Sequence, residues 1–387
     1  MNFRLVRQDE RTDARAAVLT TDHGKIKTPV FMPVGTQGSV KAISPDDLNT
    51  IGFDIILANT YHLYLRPGQN LIRRAGGLQK FNSWHKSILT DSGGFQIFSL
   101  NDLNKITDDG FEFRSHLDGS RHLFTPENVI DIQRDLGSDI FMVLDECVPY
   151  PSEFLYVQRS IKRTIDWAGR CLIRFQKNAS KFAFSQTLFA IVQGGIYPKL
   201  RRDCADVLVQ MDFPGYAVGG LSVGESKEEL YEITRLVSER LPVNKPRYLM
   251  GVGKPEDLLE GIESGIDMFD CILPTRNGRN GQAFTSKGPI NIKNVSNKEA
   301  FDPLDSECDC RVCRQFSKAY LRHLFMAKEL LILHLLSYHN LYFYHNLMKG
   351  ARQAILEQRF VEFKRTFLNK YRSTKQPTHQ LSTRRNP

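Results

Sequence analysis

"MFDCILPTRNGRNG", residues 268–281, is an apolar run that ends in an acid and then breaks into Pro, Gly and two arginines. A run too short for a helix, and without the alternation of a half-exposed strand, reads as a strand buried on both faces, as in parallel sheets. Seven earlier stretches share the form: "PVFMPV" (29–34), "DIILANT" (54–60), "SILTDSGG" (87–94), "IFMVLDE" (140–146), "LFAIVQGG" (188–195), "YAVGGLSVG" (216–224) and "RYLMGVG" (247–253). Helical spacing fills several intervals, as in "SPDDLNTIG" with Ser44 at the N-cap, "TPENVIDIQRDLG" and "SKEELYEITRLVSERL". Eight strands alternating with helices predict an α/β protein, a (β/α)8 barrel.

The barrel gives the polar residues of these runs a common address. Asn59, Asp91, Asp145 with Glu146, Gln193, Gly219 with Gly220, Met250 and Asp270 fall at or near the C-terminal ends of their runs. In a barrel those ends share one face, and that face carries the active site. A satisfied turn residue would account for any one of them, but not for several on one face.

Composition narrows the class. With 387 residues, 41% hydrophobic and 25% charged, the chain can bury a sizeable core. The N-terminus "MNFRLVRQDERTDARAAV" carries charges every few residues, and no stretch reaches the length of an apolar membrane span, so a cytoplasmic protein is expected. A formal charge of +9 is compatible with an anionic partner such as nucleic acid. "GVGKP" (251–255) lacks the Ser or Thr after Lys that a phosphate-binding P-loop needs, which excludes that class of nucleotide triphosphatase.

After Pro274 the character changes. Residues 275–307 are polar with short β-like pieces, and "CDCRVC" (308–313) follows. Three thiols in six residues can converge on one ion, and zinc with a fourth, often His, ligand is the usual outcome. His323, His334, His339 and His345 all lie downstream, and a structural site is the default. Residues 318–371 have helical spacing for two or three helices, whereas 372–387 contain no acid and are expected to stay disordered.

The chain resembles the bacterial queuine tRNA-ribosyltransferases, or tRNA-guanine transglycosylases. The resemblance rests on "TPVFMPVGTQGSVK", "ANTYHL", "LTDSGGFQIFSL", "DECVPY", "QGG", "VGGLSVGE", "YLMGVGKPEDLL", "FDCILPTRNGR" and "CDCRVC" followed by "HNLYFY", in the family's order. It implies a (β/α)8 TIM barrel with an inserted zinc-binding subdomain. The division expected is 1–274 for the barrel with an N-terminal extension, 275–345 for the zinc-binding subdomain and 346–371 for a C-terminal helix packing back on the barrel. Family spacing selects His339, twenty-six positions after Cys313, to complete the Cys308, Cys310, Cys313 site for one structural zinc ion.

The reaction implied is base exchange in queuosine biosynthesis. The wobble guanine of GUN anticodons, in tRNAs for Asp, Asn, His and Tyr, is replaced by a 7-deazaguanine without cutting the strand. Keeping the ribose while its N-glycosidic bond is broken calls for a carboxylate nucleophile and a second carboxylate to move protons. The resemblance assigns these to Asp270 and Asp91, and strand alternation turns Cys271 away from Asp270. Around the base it implies Asp145 against the N1–H and N2–H2 donors, and Gln193 with the Gly220 amide against O6. Ser92, Gly93, Gly219 and Leu221 line the same pocket, while Phe95 and Met250 stack on the base. Gly251, Lys254, Thr275, Arg276, Asn277, Gly278 and Arg279 are the expected RNA contacts.

Many family members carry Tyr at the position of Phe95, and Ala at that of Ser222. Cys147 and Val223 resemble the bacterial pattern, which favours 7-aminomethyl-7-deazaguanine over queuine, with Glu225 sensing the aminomethyl group through the Leu221 peptide. A homodimer binding one tRNA anticodon loop, with its interface at the helices around His339, is also implied. The alternative is a non-catalytic tRNA-binding partner subunit; joint retention of Asp91, Asp145 and Asp270 speaks against it.

Overall fold

The computed structural model describes residues 1–100 and 105–372; of the acid-free segment read as disordered, residues 373–387 lie outside them. The eight apolar runs form one parallel sheet of nine segments. The first run supplies both ends of that sheet, because Val30–Met32 pairs with Met268–Asp270 and Val34–Gly35 pairs with Ile55–Ala58. Pro33 lies between the halves and has no N–H to give to a ladder, so the strand changes partners there and the sheet closes on itself. The remaining strands are Ser87–Thr90, Ile140–Met142, Thr187–Val192, Gly215–Val218 and Arg247–Leu249. Their residues are buried throughout, as strands covered on both faces must be.

The helices start where the caps predict. Ser44 accepts from the Asp47 amide at the head of Pro45–Ile51, and reciprocal capping boxes also open Pro126–Leu136 at Thr125 and Lys227–Ser238 at Ser226. At the N-terminal end of the barrel an antiparallel sheet, Asn2–Gln8, Arg15–Thr21 and Gly24–Thr28, packs beneath the strands. Arg15 from this sheet is buried against Asp267, just before the eighth strand, with Nε 3.1 Å from Oδ1. A second small sheet, Lys105–Ile106, Phe111–Arg114 and Arg121–Phe124, covers helix Thr60–Leu65 through Tyr61 and Phe113.

Beyond the eighth strand one expectation changes. The stretch "LPTRNGR", read as a basic loop, is helix Leu273–Arg279 with Pro274 in its first turn. Gly278 permits this, since a Cβ there would lie 2.9 Å from the Ser337 amide nitrogen of helix Leu331–Leu356. Asn-Gly pairs favour turns locally, but the close helix crossing decides the conformation here. Hairpin Gln282–Thr285 and Gly288–Asn291 follows, then short helix Arg311–Gln315 and helices Lys318–Met326, Leu331–Leu356 and Phe360–Arg372. Leu331–Leu356 runs unbroken across position 345, so the sequence-based division there falls inside one helix. Phe360–Arg372 is tied to the barrel helix Pro255–Glu263 by Lys364, which bridges Glu260 and Glu263.

Candidate active site

The C-terminal ends of all eight strands open on a cavity of about 380 Å³, whose lining includes Asp91, Asp145 and Asp270. Among the described residues, no lysine or arginine lines it. Asp270 ends the eighth strand, and its Oδ1 accepts from the Tyr248 hydroxyl at 2.6 Å and the Gly251 amide at 2.8 Å. Burial pushes its pKa above the ordinary carboxyl value despite those two donors. Cys271, next in sequence, has its thiol pushed up to about 12 by burial and then by the Asp270 charge, so it stays protonated.

Asp91 follows the third strand directly. Its Oδ1 accepts from the Thr60 amide at 2.9 Å, and its Oδ2 from Gln96 Nε2 at 2.8 Å and from Asn59 Nδ2. Burial nevertheless raises its pKa from 3.8 to about 6, with the Asp270 charge contributing in the same direction. Asp145 is also pushed up to about 6 by burial, against donors from Gln193 Nε2 at 2.7 Å and Ser92 Oγ at 3.2 Å. Folding therefore favours the protonated form of both, and between about pH 4 and pH 6 these two groups lower stability as pH rises. Glu146, the other acid of "LDE", is turned away from the cavity into a pair with Arg163, Nε to Oε2 2.8 Å.

Gln193 leaves its Oε1 buried without a hydrogen-bond partner. Gly220, at φ +62°, gives it room, because a Cβ at that residue would come within 2.3 Å of Oε1. Ser92, Gly93, Phe95, Gly219, Gly220, Met250 and Gly251 line the cavity with the three acids, whereas Leu221 is buried and is not among the lining residues. Phe95 stands exposed at the rim, as a platform for a planar group would. Glu225 holds the loop after Gly220 through the amides of Ser222, Val223 at 2.9 Å and Gly224 at 3.1 Å.

Lys254 and Arg276 are exposed at the same end of the barrel, with Asn277 and Arg279 partly so, while Thr275 and Gly278 are buried in the helix packing. Arg279 keeps one guanidinium nitrogen buried and unpartnered. Behind this helix, Cys308, Cys310, Cys313 and His339 bring four ligand atoms within 4.8 Å of one another and could hold a metal ion. His339 Nδ1 lies 3.8, 3.5 and 3.4 Å from the three sulfurs. A tetrahedral zinc ion spaces its ligands by about 3.5–3.8 Å, so this donor set fits one. His339 Nε2 is 2.8 Å from the Phe284 carbonyl, an outer hydrogen bond that leaves Nδ1 free to ligate. Asn340 joins this cluster to helix Leu273–Arg279, bonding the Phe284 amide and the carbonyls of Pro274 and Gln282 at 2.9 Å each.

A family model described as Queuine tRNA-ribosyltransferase matches residues 9–373. The chain belongs to the queuine tRNA-ribosyltransferase family. It is 58% identical over 371 residues to the Queuine tRNA-ribosyltransferase of Caldanaerobacter subterraneus subsp. tengcongensis, covering 96% of this chain and 98% of the relative. Proteins of the same name from Thermoanaerobacter pseudethanolicus (58%, 96% and 98% covered) and Oleidesulfovibrio alaskensis (56%, 91% and 92%) are similarly close. As a member of the queuine tRNA-ribosyltransferase family the chain is an enzyme, a pentosyltransferase, and the barrel and the Cys3His group expected from the sequence are both present. Among the described residues no helix is long and apolar enough to cross a membrane.

Several site residues escaped the sequence. Tyr248 sits inside an apolar run and reads as core, although alternation puts it on the same face as Met250, which was the available signal. Gln96 and Thr60 begin helices after strand ends, where a polar residue looks like an ordinary turn. Nothing short of the fold would have found Asn340, whose partners are more than fifty residues distant.

Proposed function

We propose that this chain exchanges the wobble guanine of GUN anticodons for a 7-deazaguanine, with Asp270 as nucleophile and Asp91 as general acid/base. The observation that carries the reading is the convergence of Asp91, Asp145 and Asp270 on one cavity at the C-terminal face of the barrel. Asp270 Oδ2, free of the donors on Oδ1, attacks C1′ as the C1′–N9 bond breaks. Guanine leaves with a proton from Asp91, and the covalent ribosyl ester holds the strand in place. The incoming base gives its N9 proton to Asp91 and attacks C1′, returning Asp270 as a carboxylate. An acid with a pKa of about 6 suits both proton transfers near neutral pH.

Asp145 accepts from the N1–H and N2–H2 edge of the base, and the second hydrogen of Gln193 Nε2 with the Gly220 amide donates to O6. The flipped base is stacked between Phe95 and Met250. Lys254, Gly251, Arg276, Asn277 and Arg279 contact the flanking nucleotides, with buried Thr275 and Gly278 shaping their helix. We assign the Cys3His group to one structural zinc ion, held by Cys308, Cys310, Cys313 and His339, at the heart of a subdomain following the eighth strand. Exposed Tyr320, Met326, Leu330 and Leu331 support a homodimer through that region. Cys147 and Val223 at the cavity wall favour 7-aminomethyl-7-deazaguanine over queuine.

The deciding experiment adds the purified protein to undermodified tRNA with a GUN anticodon and labelled guanine. Label is expected at the wobble position, and competition by the aminomethyl base should exceed that by queuine. A protein that binds this tRNA but incorporates no label would instead be the non-catalytic partner subunit.

The raised pKa of Asp145 adds a second expectation. Above about pH 6 its carboxylate accepts from the base, and below that pH the proton blocks one acceptor oxygen. KM for free base should therefore rise as pH falls through 6, and Asp145→Ala should raise it at every pH by about tenfold or more, equivalent to an unpaired donor edge costing about 1–3 kcal/mol. A base KM flat from pH 5 to 8 would remove Asp145 from base recognition.

A further inference from the structure

Gln96 stands on helix Gly94–Leu100, one residue after Phe95, and lines the cavity with the three acids. Its Nε2 donates to Asp91 Oδ2 at 2.8 Å, while its Oε1 is buried with no hydrogen-bond partner among the described residues. A glutamine kept for packing satisfies both ends of its carboxamide, since an orphaned buried acceptor is a net cost. Among the described residues the side chain's hydrogen bond goes to the acid, so the orientation of the amide is set by Asp91.

We infer that Gln96 is a positioning residue for the proton-transfer step, holding the Asp91 carboxylate in its ionised form and in one rotamer between the two half-reactions. The inference rests on Asp91 being the general acid/base. Three donors hold that carboxylate, from Asn59, Thr60 and Gln96. Asn59 and Thr60 come from the second strand and the helix after it, whereas Gln96 comes from the segment that also carries the stacking ring of Phe95. Proton transfer and base stacking are thereby joined on one short helix.

The titratable groups around Asp91 make the sign of the effect definite. Asp270 from the eighth strand and Asp145 from the fourth share its cavity, and His62 on helix Thr60–Leu65 lines the same wall. Among the described residues no lysine or arginine lines the cavity, so hydrogen-bond donors carry the stabilisation of the charged form. Removing one donor raises the Asp91 pKa and moves the limb of the pH–rate profile that Asp91 sets to higher pH.

The test measures guanine exchange into tRNA as a function of pH for Gln96→Met and Gln96→Glu. In Gln96→Met the limb should move up by about one pH unit, with kcat down about tenfold and the tRNA KM within about twofold of wild type. Gln96→Glu, of the same length, replaces the donor with an acid beside Asp91 and should move the limb at least as far, so it carries the decision if methionine impairs folding. An unmoved limb with near-wild-type kcat, beside an inactive Asp91→Asn control, overturns the inference and leaves Gln96 a packing residue. A fully active Asp91→Asn would overturn the acid/base reading beneath it.

Discussion

Asp270→Asn should lower guanine exchange by roughly four orders of magnitude or more, the scale on which enzymes lose activity with their nucleophile. The denaturation-stable RNA adduct formed by wild-type protein should be absent on the same gel. The fold should survive, because the amide oxygen of Asn can still accept from the Tyr248 hydroxyl and the Gly251 amide. Asp267→Asn, just before the same strand, is the informative contrast. Asp267 is fully buried against Arg15 and also accepts from the Arg247 amide at 2.8 Å. Breaking that pair strands a guanidinium in the core and should cost on the order of 3–5 kcal/mol of stability, with no direct effect on chemistry. An Asp270→Asn protein that exchanges guanine at the wild-type rate would sink the nucleophile assignment.

Loss of the metal site should have the second largest effect, and it should fall on RNA binding before base binding. Removing a ligand, as in Cys310→Ala or His339→Ala, should abolish stoichiometric zinc and forfeit a large part of the roughly 10–16 kcal/mol by which zinc stabilises small zinc-dependent folds. The path to the site is short. His339 fixes Phe284, and Asn340 beside it fixes Pro274 in the first turn of the helix that presents Arg276 and Arg279 and Gln282 just beyond its end. Metal analysis, thermal denaturation and tRNA affinity should fall together, while affinity for free base, held by barrel residues, changes little. Stoichiometric zinc in Cys310→Ala would remove that cysteine from the ligand set.

The barrel was legible because its strands are apolar without alternation and because their polar residues recur at one end. Ser44 marked a helix start by the local chemistry that caps it, and the structure adds the same capping box at Thr125 and Ser226. The N-terminal sheet was not read, since "MNFRLVRQDERTDARAAV" carries charges along most of its length and Arg15 looked like one more surface charge. Its burial depends on Asp267, more than two hundred residues away. Helix Leu273–Arg279 was missed for a related reason: Asn-Gly pairs signal turns locally, and only the backbone of Leu336–Ser337 shows why Gly278 serves a helix crossing instead. Placement of the three acids followed from strand ends, but their hydrogen-bond partners, drawn from other strands and helices, did not.

The absence of lysine and arginine from the cavity lining has a further consequence. Two acids buried elsewhere in the chain have a cation beside them, Asp267 with Arg15 and Glu146 with Arg163. At the mouth of the barrel, Asp91, Asp145 and Asp270 have no counter-cation among the described residues, and two of them are pushed up to about 6 as a result of burial. Such a site is electrostatically incomplete at rest, and what completes it is positive charge. On the proposed mechanism that charge appears on the ribose only while the glycosidic bond is broken, so the enzyme's missing cation is supplied by the transition state itself.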